Sequence, residues 1–386
     1  MPGGSRAPWD ELQQSFDLAL LAGDHMGPGQ PVMGARPFLS FVVPPEEDGR
    51  VLAHVLRRRW RMSRGFLRQL KRGPYVLVNG RPAALREAVA AGDRVELLVP
   101  SHLASHVVPE PVPLAVVFED EHVLVLDKPA GVLVHPAHGE QRGTLANGVA
   151  YRLIARGQTP AAGPVTRLDR DTSGLVVFAK HPFAHHALAQ AHARGELRRH
   201  YVAIAEGIVR EDEGVIDAPI RRVPGELTRR EVAPDGQRAV TRFRVLDRTE
   251  GPAALQVTAQ AAPGGAAAPG PGVSTLELPR GATLLELTLE TGRTHQIRVH
   301  LAHLGHPLLG DPLYGRPLPG ILERQALHAW RLEFPHPADG RRLALVSPLP
   351  PDLDHFRQRL NLRLPNCDSG PTFLYRCSGR WSCFVD

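Results

Sequence analysis

The sequence predicts an α+β protein whose larger part is built on a mixed, mainly antiparallel sheet. Short β-branched runs such as Val123-Leu124-Val125-Leu126 and Leu175-Val176-Val177-Phe178 are bounded by turn residues and read as strands, the first closing a hairpin. Helical stretches, Leu145–Arg156 and Phe183–Arg194, alternate with them. Neither GxGxxG nor GxxxxGK occurs, which argues against a doubly wound, nucleotide-binding sheet.

A chain of 386 residues has room for two or three domains. Its 42% hydrophobic and 22% charged content is ordinary for a soluble globular protein. A net charge of +6 favours polyanionic partners. With 37 Gly and 37 Pro, part of the chain is expected to be linker or insertion. No apolar run approaches the roughly 18 residues a membrane span needs. The short run Leu18–Ala22 has no basic leader, so no secretory signal is expected. Cys367, Cys377 and Cys383 all lie in the last twenty residues, form no disulfide framework and match no zinc spacing. A reducing cytoplasm is the default location.

Residues 1–35 read as a poorly ordered leader with one short helical stretch, Trp9–Ala22. A small domain follows at 36–100. Two amphipathic helices are expected within Arg50–Arg72, the second capped by Ser63. Their outer faces carry Arg50, Arg57, Arg58, Arg59, Arg61, Arg64, Arg68, Lys71 and Arg72 without an intervening acid. A solvated helix face normally mixes signs, so this patch reads as a phosphate-binding surface. A strand Tyr75–Val78, the turn Asn79-Gly80 and a second strand ending in Asp93–Val99 complete the unit. Residues 101–113 are a Pro-spaced linker. The larger domain spans 114–350, interrupted by the Ala/Gly/Pro-rich insertion 261–274. Further strands are expected at Tyr201–Ala205, Ala239–Leu246 and Leu284–Leu289. Residues 351–386 read as a disordered tail containing a short basic helix, His355–Arg363.

Two stretches are dense in chemistry. In Pro164–Lys180 a knot of Arg167, Asp169, Arg170, Asp171, Thr172 and Ser173 turns at Gly174 into a buried strand. Surface ion pairs would account for the knot as well as a functional carboxylate does. In Leu284–Gly315 a helix over Thr294–Leu304 has the apolar stripe Ile297, Leu301 and Leu304, with Arg298 at its border and able to face a cleft. His295, His300, His303 and His306 lack HExxH or a nearby Cys, so capping and RNA-facing roles explain them better than zinc.

Three blocks, Leu126–Pro136 (LDKPAGVLVHP), Arg167–Lys180 (RLDRDTSGLVVFAK) and Thr291–Gly315 (TGRTHQIRVHLAHLGHPLLGDPLYG), resemble the pseudouridine synthases of the RluA/RluD group. Two helices followed by VLVNG and GDRVEL resemble the small RNA-binding domain of the ribosomal protein S-four type. The first resemblance implies a bent central sheet flanked by helices, and isomerisation of uridine to pseudouridine in structured RNA by a monomer needing no cofactor and no metal. Large-subunit ribosomal RNA is the first substrate class it implies, transfer RNA the second. It assigns Asp169 as the catalytic aspartate, Tyr201 as the aromatic that stacks on the flipped base and is a candidate for taking the carbon-5 proton, and Arg298 as the partner of the aspartate. Arg167, Arg293 and His295 join the basic helices as RNA contacts. The chemistry agrees with those residue types. An arginine keeps a buried carboxylate ionised, and a phenol can stack while offering an oxygen. A base inside a duplex must first be extruded. Thr166 and Arg199 depart from the family's usual His and Lys but leave the Asp–Tyr–Arg trio intact.

Overall fold

The computed structural model describes residues 37–60, 62–99, 107–137, 139–161, 163–251, 253–258, 273–364, 375–377 and 380–382. The leader, Arg61 and the low-complexity stretch up to 272 lie outside them. The chain divides into two compact units.

Among the described residues, the first unit takes in 37–60, 62–99, 149–161 and 180–183. Strands β1 (Leu39–Val42), β2 (Val76–Val78), β3 (Arg81–Pro82) and β4 (Arg94–Leu97) form an antiparallel sheet in the order β1-β4-β2-β3. Strand β1 was not anticipated from the sequence. Asn79 and Gly80 take positive φ values of 51° and 77°, the backbone a two-residue hairpin turn requires. Helices α1 (Leu52–Trp60) and α2 (Arg64–Leu70) bury Leu52, Val55, Leu56, Phe66, Leu67 and Leu70 in the same core as Val76, Val78, Val95 and Leu97. Ser63 caps α2, its hydroxyl accepting from the Phe66 amide at 3.1 Å. Arg57, Arg58, Arg59, Arg64, Arg68, Lys71 and Arg72 are exposed, and among the described residues none of them forms an ion pair.

The second unit is organised on a ten-stranded sheet. Its strands are β5 (Val116–Glu119), β6 (Val123–Lys128), β7 (Gly163–Pro164), β8 (Ser173–Ala179), β9 (Arg198–Glu206), β10 (Glu213–Asp217), β13 (Val240–Arg248), β16 (Ala282–Leu289), β17 (Leu327–Pro335) and β18 (Arg342–Val346). The main path runs β10-β13-β16-β9-β17-β8-β6-β5, with β18 on β17 and β7 on β8. Every pairing is antiparallel except β17–β8, where His328 and Ala329 stand opposite Ser173 and Gly174. The sheet is thus mixed and mainly antiparallel, as the turn pattern predicts. Three two-stranded ribbons accompany it: β11 (Ile220–Arg222) with β12 (Arg230–Val232), β14 (Ala253–Thr258) with β15 (Val273–Leu278), and β19 (Tyr375–Cys377) with β20 (Arg380–Ser382). The last two residues of the low-complexity insertion 261–274, Val273 and Ser274, begin β15.

Helices α3 (Leu145–Ala155), α4 (Pro182–Ala193) and α5 (Gln296–His303) lie within about a residue or two of their expected bounds. Two expectations differ. Asn147 Nδ2 donates to the Val108 carbonyl at 2.7 Å, so the second half of the presumed linker is bound to this unit. Helix α6 occupies Pro351–Arg359 instead of His355–Arg363, and its Leu353 and Phe356 are buried in the core that holds Val202, Leu284 and Leu309. The domain therefore does not close at 350. Apolar spacing at 353, 356 and 360 prevails over the basic composition of the segment.

Candidate active site

The charged knot folds as a loop between β7 and β8, and its backbone is fixed from behind. Lys128, only 1% exposed, donates to the carbonyls of Pro129 (2.8 Å), Val132 (2.6 Å) and Arg170. Arg324 donates to the Asp171 carbonyl at 3.1 Å, and Gln325 Nε2 to the Thr172 hydroxyl at 3.0 Å. Ser173 Oγ lies 2.9 Å from His328 Nδ1. Gly174 has φ 111°, and a Cβ there would overlap the Ala329 carbonyl. The parallel contact of β8 with β17 therefore requires glycine directly after the knot.

In front of the knot opens a cavity of about 650 Å³, lined by Asp169, Tyr201, Arg298, Arg167, Arg293 and His295 together with Thr166, Arg199 and His192. All three residues of the expected trio meet here. Helix α5 brings Arg298, and its start is pinned by Gln296, whose side chain donates to Val240 O and Thr241 Oγ1, both at 3.0 Å. Arg298 is 7% exposed and Asp169 25%. Arg298 Nη1 stands 3.5 Å from Asp169 Oδ2.

The principal partner of Arg298 is a residue the sequence reading left without a role. Asp311, fully buried, accepts from Nε at 2.7 Å and from Nη2 at 2.8 Å. The guanidinium thus has one dedicated counter-ion and turns its remaining edge towards Asp169. Burial works against the charge of Arg298, but the hydrogen bonds and charge of Asp311 and the charge of Asp169 raise its pKa overall. No local pattern marks Asp311, which lies thirteen residues beyond its partner.

Tyr201, on β9, is 3% exposed. Burial raises the pKa of its phenol, Arg199 opposes that rise, and Asp169 adds to it. The phenol is therefore protonated at neutral pH. Arg199 is itself buried. It donates to Thr291 O at 3.3 Å and lies 3.1 Å from His192 Nε2, while its Nε has no hydrogen-bond partner among the described residues.

Arg167 and Arg293 are exposed at the rim, and Arg293 Nε donates to Arg238 O at 3.0 Å. The histidines separate by environment. His300 is fully buried between Thr241 Oγ1 and Ala218 O, both at 2.9 Å, so it is a core residue and faces no RNA. His306 Nδ1 is 3.0 Å from the Glu206 carbonyl oxygen. His295 occupies the N-cap position of α5 without a side-chain capping bond and approaches Asp169.

A partly exposed carboxylate, a held guanidinium and a buried phenol thus line one open cavity. The family model described as RNA pseudouridylate synthase matches residues 122–303, which include Asp169, Tyr201 and Arg298. The chain is 39% identical over 315 residues to "Uncharacterized RNA pseudouridine synthase YhcT" of Bacillus subtilis (strain 168), covering 82% of this chain and 95% of that one. It belongs to the RNA pseudouridine synthases. It is also 39% identical over 334 residues to "Ribosomal large subunit pseudouridine synthase D" of Nitrosomonas europaea, covering 82% of this chain and 86% of that protein. The protein of that same name from Xanthomonas campestris pv. campestris is 37% identical over 333 residues, covering 83% and 91%. As a pseudouridine synthase the protein is an isomerase acting on RNA.

Proposed function

We propose that this pseudouridine synthase isomerises specific uridines of large-subunit ribosomal RNA, with Asp169 as the reacting carboxylate. The observation that carries the reading is the position of Asp169. It is a partly exposed carboxylate facing a guanidinium that a second aspartate already neutralises. Such a group faces a guanidinium without being locked into a tight ion pair, so it is free to act at the sugar. The C1′–N1 bond breaks and a C1′–C5 bond forms. The proton at carbon 5 leaves and N1 gains one, so nothing is added or lost. Tyr201 stacks on the everted base with its proton in place. To take the carbon-5 proton it must first pass its own on, and the neighbouring Arg199 lowers the cost of the phenolate. The four-stranded N-terminal unit is read as an S-four-type RNA-binding domain, its basic helices binding phosphates through Arg57, Arg58, Arg59, Arg64, Arg68, Lys71 and Arg72. Arg61 belongs to the same run in the sequence, and Arg167 and Arg293 extend the contact at the cavity rim. The ribosomal substrate class rests on the names of the Nitrosomonas and Xanthomonas relatives.

Pseudouridine mapping in total RNA from cells with and without this protein tests the substrate. Loss of signal at particular large-subunit positions is expected, and loss confined to transfer RNA would refute the ribosomal assignment. Asp169→Asn is expected to form no pseudouridine while binding RNA as the wild type does.

A further inference from the structure

His295 combines features that its expected role as an RNA contact does not explain. Its backbone is left-handed, φ 59° and ψ 19°, a region unfavourable to a non-glycine residue. The side chain returns no capping bond for that cost. It turns instead between Tyr314 and Asp169. Tyr314 Oη accepts from the Arg230 amide at 2.8 Å and lies 2.9 Å from His295 Nδ1. Because the Arg230 N–H can only donate, the hydroxyl proton is free to go to Nδ1, which leaves the ring proton on Nε2. Nε2 lies 4.0 Å from Asp169 Oδ2, the same oxygen that Arg298 faces at 3.5 Å. The Tyr314 ring also lies beneath the Arg298 guanidinium, 5.1 Å from its carbon to the ring centroid. Asp311 Oδ1, which holds Arg298, accepts from the amides of Leu313 and Tyr314 at 2.9 and 3.1 Å. One turn, Asp311–Tyr314, thus sets both groups that face the carboxylate.

We propose that His295, neutral and protonated on Nε2, is poised to become a second donor to Asp169 Oδ2 when substrate closes the 4.0 Å gap, and that Tyr314 is the positioning residue that holds it in that form. The proposal rests on Asp169 being the reacting carboxylate. Among the described residues both contacts fall on Oδ2, which leaves Oδ1 to meet the sugar. A neutral donor steadies the carboxylate, whereas an imidazolium would pair with it and withdraw it from reaction. The charged and titratable groups around His295 are Asp169, Arg298, Arg230, Asp311 and Tyr314. Burial and the two arginines favour the neutral ring, and the two aspartates oppose them.

The test uses the full-length protein and unmodified large-subunit ribosomal RNA transcripts carrying tritium at uridine carbon 5, whose release reports turnover. Tyr314→Phe keeps the ring under Arg298 and removes only the hydroxyl. His295→Asn tolerates the left-handed backbone but cannot reach Asp169. Each is expected to lower kcat by about tenfold or more with KM changed by less than about twofold. Tyr314→Phe should also move the acid limb of the kcat profile to higher pH, because Nδ1 loses the donor that favours the neutral ring, and His295→Asn should remove that limb. A kcat within about twofold of wild type for His295→Asn overturns the proposal, as does an unmoved acid limb in a folded Tyr314→Phe protein. If Tyr314→Phe does not fold, His295→Asn decides alone. Asp169→Asn separates the two readings: activity there removes the basis of both, whereas an inactive Asp169→Asn beside a fully active His295→Asn removes only this one.

Discussion

Two aspartates share one guanidinium at this site, and their surroundings give them opposite duties. Asp311 is fully buried and makes two short bonds to Arg298; Asp169 is a quarter exposed and stands 3.5 Å away. Removing one charge from a buried pair costs about 3–5 kcal/mol, because the partner is left uncompensated, while a half-solvated carboxylate near a cation is worth about 1 kcal/mol or less. Asp311→Asn should therefore lower the melting temperature by about 6 °C or more, and Asp169→Asn should leave it within about 2–3 °C of wild type. Activity should be lost in both, in the first because the freed guanidinium swings onto Asp169. Calorimetric melts of the two variants side by side decide this, and equal melting temperatures would refute the division of roles. The residue-level site was partly legible in the sequence. Asp169 and Arg298 each sit in a dense motif, whereas Tyr201 lies outside the three blocks and was reached only through the family resemblance. Asp311 could not be expected, since a buried ion pair leaves no periodicity, and nothing in the sequence announces the left-handed backbone of His295.

At the scale of elements, the loop bearing Asp169 is held by side chains from β6, from β17 and from the turn before it, one for each residue from Arg170 to Ser173. Lys128 shows how tightly it is held. Burial pulls its pKa down to about 7, while Asp171 and Asp169 pull the other way. Its three carbonyl acceptors match the three donors of an ammonium, so the cage fits the charged form. Arg324 is in turn gripped by Asp352, at 2.7 and 3.1 Å, in the first turn of α6. A helix that composition assigned to a disordered tail thus reaches the loop bearing Asp169 through one arginine. Asp352→Ala should lower kcat about tenfold with little change in RNA affinity, since it loosens the loop and touches no phosphate contact. Steady-state kinetics paired with a binding isotherm would show it, and a fall in affinity at unchanged kcat would count against the coupling. The strands and helices that were expected, apart from the shifted α6, follow the sequence because apolar runs, glycine turns and the Ser63 cap act locally. Strand β1 and the parallel pairing of β8 with β17 were invisible, because both are set by residues far apart in the chain.

For the molecule as a whole, three ionisable groups of the second unit, His328, Asp120 and Glu286, favour folding near neutral pH and lose that effect in acid. His328 is completely buried, and burial depresses its pKa to about 4 although the Ser347 carbonyl favours its proton. In the folded state it stays neutral, whereas the unfolded chain takes up a proton near 6.5. Its contribution is therefore complete above 6.5 and is lost progressively towards 4, in total about 3 kcal/mol. Two carboxylates extend the loss to lower pH. Burial tends to raise Asp120, but hydrogen bonds from His336 and from the amides of Val123 and His122 outweigh it and bring the group to about 2. Glu286 also reaches about 2, chiefly through its hydrogen bond with His200, with Arg244 helping against the opposing effect of burial. Both pKa values are depressed, so their stabilisation is present above about 4–5 and disappears as pH falls through 2. The urea midpoint should hence decline in two stages, between pH 6.5 and 4 and again below 4. In His328→Asn, which has no imidazole to titrate, the first stage should shrink while the second persists. A wild-type midpoint that stays level from pH 7 to 4.5 would mean that His328 is not held neutral, and the anchoring of Ser173 behind the catalytic loop would then need a charged partner instead.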